Sequence, residues 1–192
     1  MMKNKFRENH PQRTYSGKKL SNYRDYKLSL RNDFNSRCGY TNCPDYWFGG
    51  INTFHIDHFL PHSNPLHLHL KEEYSNLVYT CSYVNIAKSN DEGLFLDPCN
   101  VDFNEHFWRN EAGEIMYNSE SEHAQYMYYK LKLYMMRYGM IWILDNILKN
   151  MEILKTEISK YEDSELKNNL LVLQGKLANK FLIFSRYHRE NQ

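Results

Sequence analysis

The sequence predicts an α+β protein in which a small strand–loop–strand–helix core precedes a pair of long helices. Two β-prone runs lie between residues 54 and 91, where a loop rich in His, Pro and Asn separates them and a helical run follows. Beyond residue 122, apolar residues recur every three or four positions, which is the spacing of an amphipathic helix. At 192 residues the chain is long enough for one domain, or for a small module with a helical extension.

The first predicted segment, residues 1–31, is a basic arm that leads into a short helix. It carries nine Lys or Arg and two acids, although the formal net charge of the whole chain is only +1. Pro11 and Gly17 interrupt its first half, which predicts a flexible stretch over residues 1–17. Such an arm either tracks a phosphate backbone or is a solvated, partly disordered terminus. Regularly spaced aromatic and apolar residues then predict the short helix over residues 21–34.

The compartment is predicted from what the sequence lacks. No early apolar run resembles a signal peptide, and no apolar stretch approaches the ~18 residues that a membrane-spanning helix needs. The four cysteines of such a chain indicate free thiols or metal ligands more than disulfides. We therefore expect a cytoplasmic protein with no membrane association.

Side chains suited to hydrolytic chemistry are concentrated in residues 54–91. They are, in order, Asp57, His58, Asn76 and Asn85. A histidine with an ordinary pKa near ~6.5 can accept a proton from water at neutral pH. Carboxylate and amide oxygens can hold a hard divalent cation that neutralises a phosphate. Taken singly, each of these residues is more simply a turn, cap or core residue, so the prediction depends on the whole set.

This set resembles the HNH (His-Asn-His) motif of nucleases in the ββα-metal superfamily. The matching residues are, in order, Asp57, His58, Pro61, Asn76, Leu77, Asn85 and Lys88. The resemblance implies a ββα-metal nuclease core at about residues 32–95. It also implies that His58 is the general base and that Asn76 braces the loop and orients His58. Asp57 and Asn85 are the implied ligands of a catalytic Mg²⁺ or Mn²⁺, and Lys88 is an implied phosphate contact.

The third motif position holds Asn85 rather than His. An amide oxygen is a harder ligand than an imidazole nitrogen, which favours Mg²⁺ or Mn²⁺ over Zn²⁺ at the catalytic centre. His55 should project to the same strand face as Asp57, where it either touches the metal site or a substrate phosphate or only supports the strand. His55 and Arg37 are therefore the further candidates for nucleic-acid contact.

A structural zinc site is a second implication of the resemblance, because many proteins of this family hold zinc with two Cys-x-x-Cys pairs. Cys38 and Cys81 match the first cysteine of each pair, but Thr41 and Val84 stand where the second cysteines belong. Cys43 is a candidate replacement for one of them. The sequence thus leaves Cys38, Cys43 and Cys81 as candidate ligands, with zinc loss and hydrophobic packing as the stronger interpretation.

Two segments follow the core. Residues 96–121 predict a connecting β-hairpin with its turn at residues 111–114. The run of residues 95–115 resembles the segment after the core in bacterial HNH endonucleases, some encoded in phage-defence loci. Residues 122–192 predict an antiparallel helical hairpin, whose first helix is either continuous or broken near Gly139. These helices are more simply core than a docking surface, but they could hold a partner such as an ATPase or form a homodimer.

The function that these residues predict is metal-dependent cleavage of DNA by an HNH endonuclease, as an anti-phage or mobile-element effector. Two alternatives stay open. One is a non-catalytic nucleic-acid-binding module with the same ββα shape, and the other is an effector subunit that a partner protein gates. DNA is the expected substrate of the endonuclease and the expected ligand of the binding module.

Overall fold

The structure is a computed structural model that describes residues 3–190, with side chains described through Tyr187. It is a mixed α/β protein with small antiparallel sheets and a C-terminal pair of helices. In chain order the elements are β1 (Asn4–Lys5), α1 (Lys27–Asp33), β2 (Phe54–His58), β3 (Leu77–Cys81), α2 (Ser82–Lys88), β4 (Phe107–Arg109), β5 (Ile115–Tyr117), α3 (Glu122–Lys130), α4 (Met136–Ile158) and α5 (Glu165–Glu190).

The chain divides into two compact units. The first comprises residues 1–111 and 115–135, and the second comprises residues 112–114 and 136–192. The first unit therefore contains α1, α2, α3 and both sheets, whereas the second contains α4 and α5. The segment predicted as one helical hairpin, 122–192, is thus divided between the two units.

The predicted order of strand, loop, strand and helix is confirmed. Strands β2 and β3 pair in antiparallel register, with Phe54 opposite Cys81 and His58 opposite Leu77. Every residue of β3 is buried, as expected for a β-branched and aromatic run that is covered on both faces. Helix α2 begins directly after β3, so the end of β2 and the body of α2 are close together.

The N-terminal arm packs against other parts of the first unit between Lys3 and Thr14, where the sequence predicted a flexible stretch over residues 1–17. Residues 1 and 2 of that stretch lie outside the described residues. Strand β1 pairs with β4, and Phe6 beside it is fully buried. Arg7 is also buried and donates to the Gly39 carbonyl at 2.7 Å, whereas Arg13 donates to the side chain of Asp97. Two of the basic residues that suggested contact with phosphates are therefore used inside the fold.

The predicted short helix and the predicted hairpin are both confirmed. A 3-10 turn at Tyr23–Tyr26 runs directly into α1. Strands β4 and β5 pair in antiparallel register and are joined by residues 110–114. The sequence did not reveal that β1 would complete a three-stranded sheet in the order β1–β4–β5, because two residues are too few for a periodic signal.

The structure matches neither alternative for the first predicted helix, a continuous helix or a break near Gly139, because α3 ends at Lys130 and α4 begins at Met136. The chain instead turns between α3 and α4, where Lys132 has a positive φ of 53° and Leu131 and Leu133 are buried. Gly139 lies inside α4, and a Cβ at this position would be 3.2 Å from the Ala112 carbonyl oxygen. This glycine therefore permits a close backbone approach and does not end the helix.

Helices α4 and α5 pack against each other and are antiparallel, as predicted. The hydroxyl of Tyr187 near the end of α5 donates to the sulfur of Met136 at the start of α4, at 3.4 Å. Among the described residues, no helix is long and apolar enough to cross a membrane.

Candidate active site

The candidate site lies where β2 ends. His58 is the last residue of β2, and only 8% of its surface is exposed. Its Nε2 atom lies 2.9 Å from the backbone carbonyl oxygen of Lys71. Because a carbonyl oxygen can only accept, Nε2 carries the proton, and in the neutral ring Nδ1 is the nitrogen with a lone pair. This tautomer is the one that a general base acting through Nδ1 requires.

The surroundings of His58 keep its ring neutral. Burial lowers the pKa of His58 below its ordinary value of 6.5, against the opposing effect of the bond to Lys71. Two aromatic side chains contact the ring, with Tyr23 at 4.7 Å and His62 at 4.3 Å between ring centroids. The lowered pKa favours the uncharged imidazole, which is the form that can accept a proton.

Asn76 forms hydrogen bonds within the loop between β2 and β3, which also contains Lys71, the hydrogen-bond partner of His58. Its Oδ1 accepts from the Leu60 N–H and its Nδ2 donates to the Leu60 carbonyl, each at 2.9 Å. The same Nδ2 lies 3.5 Å from the carbonyl oxygen of Leu70, the residue before Lys71. Asn76 thus contacts the loop between β2 and β3 near its start, at Leu60, and again at Leu70, next to Lys71.

Asp57 points inward beside His58. Its Oδ2 accepts from the Tyr40 hydroxyl at 2.7 Å, and its Oδ1 lies 3.2 Å from the Nζ of Lys88. Burial raises the pKa of Asp57 to about 6, although the charge of Lys88 and the bond from Tyr40 oppose this rise. The carboxylate is therefore held in position by two buried donors.

The placement of Lys88 contradicts the prediction that it contacts a phosphate. Lys88 is fully buried, and its Nζ donates to the His58 carbonyl at 2.9 Å as well as to Asp57. The ring of Phe95 lies 5.3 Å from the same ammonium group. Lys88 thus supports the end of β2 from the interior and is not available to substrate.

The two predicted metal ligands have different partners in the structure. Helix α2 lies along the face of β2 that carries His55 and Asp57, as the strand alternation predicted. Lys88 is opposite Asp57, whereas the Nδ2 of Asn85 is opposite His55 and lies 3.2 Å from its Nδ1. Asp57 and Asn85, which were predicted to bind one metal ion together, therefore each contact a different side chain in this structure.

The donor chemistry nevertheless fits a hard divalent cation. Each carboxylate oxygen of Asp57 has two acceptor positions, and the bonds from Tyr40 and Lys88 occupy one on each oxygen. The contact of Asn85 with His55 uses Nδ2 and not the amide oxygen that would bind a metal. One carboxylate, one amide oxygen and several waters form a typical Mg²⁺ ligand set.

The cysteines do not fit four-coordinate zinc. Cys38, Cys43 and Cys81 are all buried free thiols, and the Cys38 sulfur lies 3.3 Å from the Thr80 hydroxyl. A hydrogen bond between thiols raises the pKa of Cys81 well above its ordinary value, with Cys38 as the partner. Among the side chains that the structure describes, no three His, Cys, Asp or Glu residues come together to hold a metal.

Arg37 remains a candidate nucleic-acid contact on the sequence alone. It is half-buried, and its guanidinium donates to the Asn42 carbonyl at 3.0 Å. Sequence reasoning did not assign Tyr40 or His62 to the site. Tyr40 is 17 positions from Asp57 and carries no motif signal, whereas His62 directly follows the motif residue Pro61 and could have been found there.

Comparison with protein-family models, with curated proteins and with solved structures found no match to this chain. The structure itself shows a mixed α/β protein with an antiparallel strand pair followed by a helix. Its function is inferred from the residues and the geometry of the site.

Proposed function

We propose that the protein is a metal-dependent endonuclease of the HNH type that hydrolyses phosphodiester bonds in DNA. The observation that carries this proposal is the environment of His58. Its Nε2–H is fixed on the Lys71 carbonyl, which leaves Nδ1 as a base, and the buried carboxylate of Asp57 is its neighbour on the same strand. The ordered set of motif residues in the sequence supports the same reading.

In the proposed reaction, Nδ1 of His58 takes a proton from the water that attacks phosphorus. The Lys71 carbonyl then faces the N–H of a positively charged ring, which stabilises the imidazolium. Asn76 is a positioning residue, because it holds the loop that carries Lys71. A divalent cation held by Asp57 and Asn85 would supply positive charge for the phosphate and for the departing 3′ oxygen.

A biological role as a phage-defence or mobile-element effector belongs to the same proposal. It is supported by the resemblance of residues 95–115 to the segment that follows the core in bacterial HNH endonucleases. A second candidate is a non-catalytic nucleic-acid-binding module. One observation favours it, namely that Asp57 is bound by Lys88 and Tyr40 while Asn85 contacts His55.

The test is cleavage of supercoiled plasmid DNA with Mg²⁺ or Mn²⁺. We expect nicked or linear product from the wild type, a loss of roughly 10²- to 10⁴-fold in rate for His58→Ala, and no product with EDTA. His123→Ala is the matched control, because His123 is an exposed histidine on α3 and its loss should leave the rate unchanged.

Equal rates for the wild type and His58→Ala would contradict the proposed base. DNA binding without cleavage under either metal would contradict nuclease activity of the chain alone and favour the binding module. Each variant is first shown by circular dichroism to be folded like the wild type, so that unfolding is not mistaken for loss of function.

A further inference from the structure

Helix α5 has an apolar surface that the chain itself does not cover. None of its described side chains is buried, although it is 26 residues long. Leu171 is 45% exposed and Leu182 is 55% exposed. By contrast, the first half of α4 contains a series of buried residues from Tyr138 to Ile147. An uncovered apolar surface of this kind is typical of an interaction site.

Two adjacent rows of residues define the two sides of α5. Half-buried side chains form one row, at alternating spacings of four and three, and we take this row as the side packed against α4: Leu170, Gln174, Leu177, Phe181 and Phe184. Ala178, which is also half-buried, borders this row. A second row lies one position further along at each step and comprises Leu171, Gly175, Ala178 and Leu182. A helix that packs against one neighbour needs a single apolar row, whereas a helix in a four-helix bundle contacts two neighbours.

Gly175 lies at the centre of the second row and has no local reason to be glycine. A Cβ built at this position would meet nothing within 4 Å, and the residue lies in the interior of a regular helix. Glycine is one of the poorest helix formers. Its neighbour in the row, Ala178, is also small, so the middle of the row permits the close approach of another helix between two leucines.

The charges of α5 indicate which helix fits this row. Glu162, Asp163 and Glu165 lie at or just before its start, where Lys167 pairs with Asp163. From Leu171 to Tyr187 the helix carries three basic residues and no acid, namely Lys176, Lys180 and Arg186. In an antiparallel copy of the same helix, the acidic start, which carries Glu162, Asp163 and Glu165 against Lys167, lies opposite the end of the helix that carries Arg186, and the reverse.

We propose that the second row of α5 binds a second copy of this chain, so that two α4–α5 pairs form an antiparallel four-helix bundle. Leu171 of each copy faces Leu182 of the other, and Gly175 faces Ala178. The same patch is used on both copies, as a two-fold symmetric interface requires. This association does not depend on nuclease activity.

The test is the mass of the full-length protein in solution by light scattering after size exclusion. We expect the wild type at about twice the chain mass of 23.2 kDa. The double variant Leu171→Glu/Leu182→Glu should halve this mass, because it places four charges in the interface. Ile153→Glu is the matched control, since Ile153 is 60% exposed on α4 outside the row, and it should keep the mass of the dimer.

Gly175→Leu separates loss of association from loss of folding. Within one chain the new side chain meets open space and leucine favours the helix, so the melting temperature should not fall. In the bundle it would clash with the other copy, and we expect a mass of 23.2 kDa. A wild type that stays at 23.2 kDa, or a dimer that survives both sets of substitutions, would overturn the proposal.

Discussion

The β2–β3–α2 core and the α4–α5 pair depart in opposite directions from the usual separation of apolar interior and polar surface. The core buries charged and polar groups, including Asp57, His58 and Lys88. The helix pair exposes leucine and isoleucine along α5. Each departure raises the free energy of the isolated fold, so each needs a compensating interaction.

In the core the compensation lies within the chain. Lys88 donates to Asp57 and to the His58 carbonyl, and Asn76 satisfies both the N–H and the carbonyl of Leu60. Buried polar groups that are fully bonded in this way fix one arrangement of the surrounding side chains. For α5, the proposed compensation is a second copy. The two regions therefore differ in the source of the compensation, which is the chain itself in the core and, in our proposal, a second copy for α5.

The largest expected effect on stability comes from the buried ion pair. Lys88→Met should lower the free energy of unfolding by about 3–5 kcal/mol, because it leaves the buried carboxylate of Asp57 without a counter-charge. Lys160→Met, which breaks the exposed pair with Glu157, should leave it nearly unchanged, because an exposed ion pair is screened by solvent. Urea denaturation followed by circular dichroism measures both values.

The double variant Asp57→Asn/Lys88→Met tests the physical reason for this difference. Since both charges are then removed, we expect it to recover part of the stability lost in Lys88→Met. Equal losses of unfolding free energy in the Lys88 and Lys160 variants would contradict the expected difference between a buried and an exposed ion pair.

A smaller difference is expected for leucine truncation. Leu77 is fully buried in β3, so Leu77→Ala should cost about 2–5 kcal/mol of unfolding free energy. Leu166 at the start of α5 is 49% exposed and outside the proposed interface row, so Leu166→Ala should change stability by less than about 0.5 kcal/mol. Chemical denaturation of the two variants side by side checks this order. A large loss for Leu166→Ala would show that α5 is covered more than the structure indicates.

The smallest expected effect concerns pH. Lys130 and Tyr126 lower the pKa of Asp91 from 3.8 to about 2. A carboxyl group with a lowered pKa stabilises the fold above pH 3.8, and this contribution is lost as the pH falls through 2. Because Asp91 is near the surface, Asp91→Asn should remove less than about 1 kcal/mol at pH 7.

Thermal melts between pH 2 and pH 7 test this prediction. The difference between the wild type and Asp91→Asn should shrink towards zero at the acid end of this range. Glu152→Gln, at an exposed position on α4, is the control for the removal of a surface carboxylate. A difference that grew as the pH fell would mean that the sign of the effect is wrong.

The sequence by itself determined the features that depend on local spacing. The order of strand, loop, strand and helix, the hairpin of β4 and β5, and the C-terminal helix pair were all predicted from periodicity and turn residues. It also predicted that His55 and Asp57 share one face of β2, because side chains alternate along a strand. These features need only the residues next to one another in the chain.

Only the tertiary structure decided what the buried charges touch. Lys88 is 31 positions from Asp57, and Tyr40 is 17 positions from it, so no local pattern links them. The same holds for Arg7, which bonds to the carbonyls of Gly39 and Pro98 although its neighbourhood in the sequence resembles a solvated arm. Burial of a charge depends on whether distant segments supply its partners, and that information is absent from periodicity.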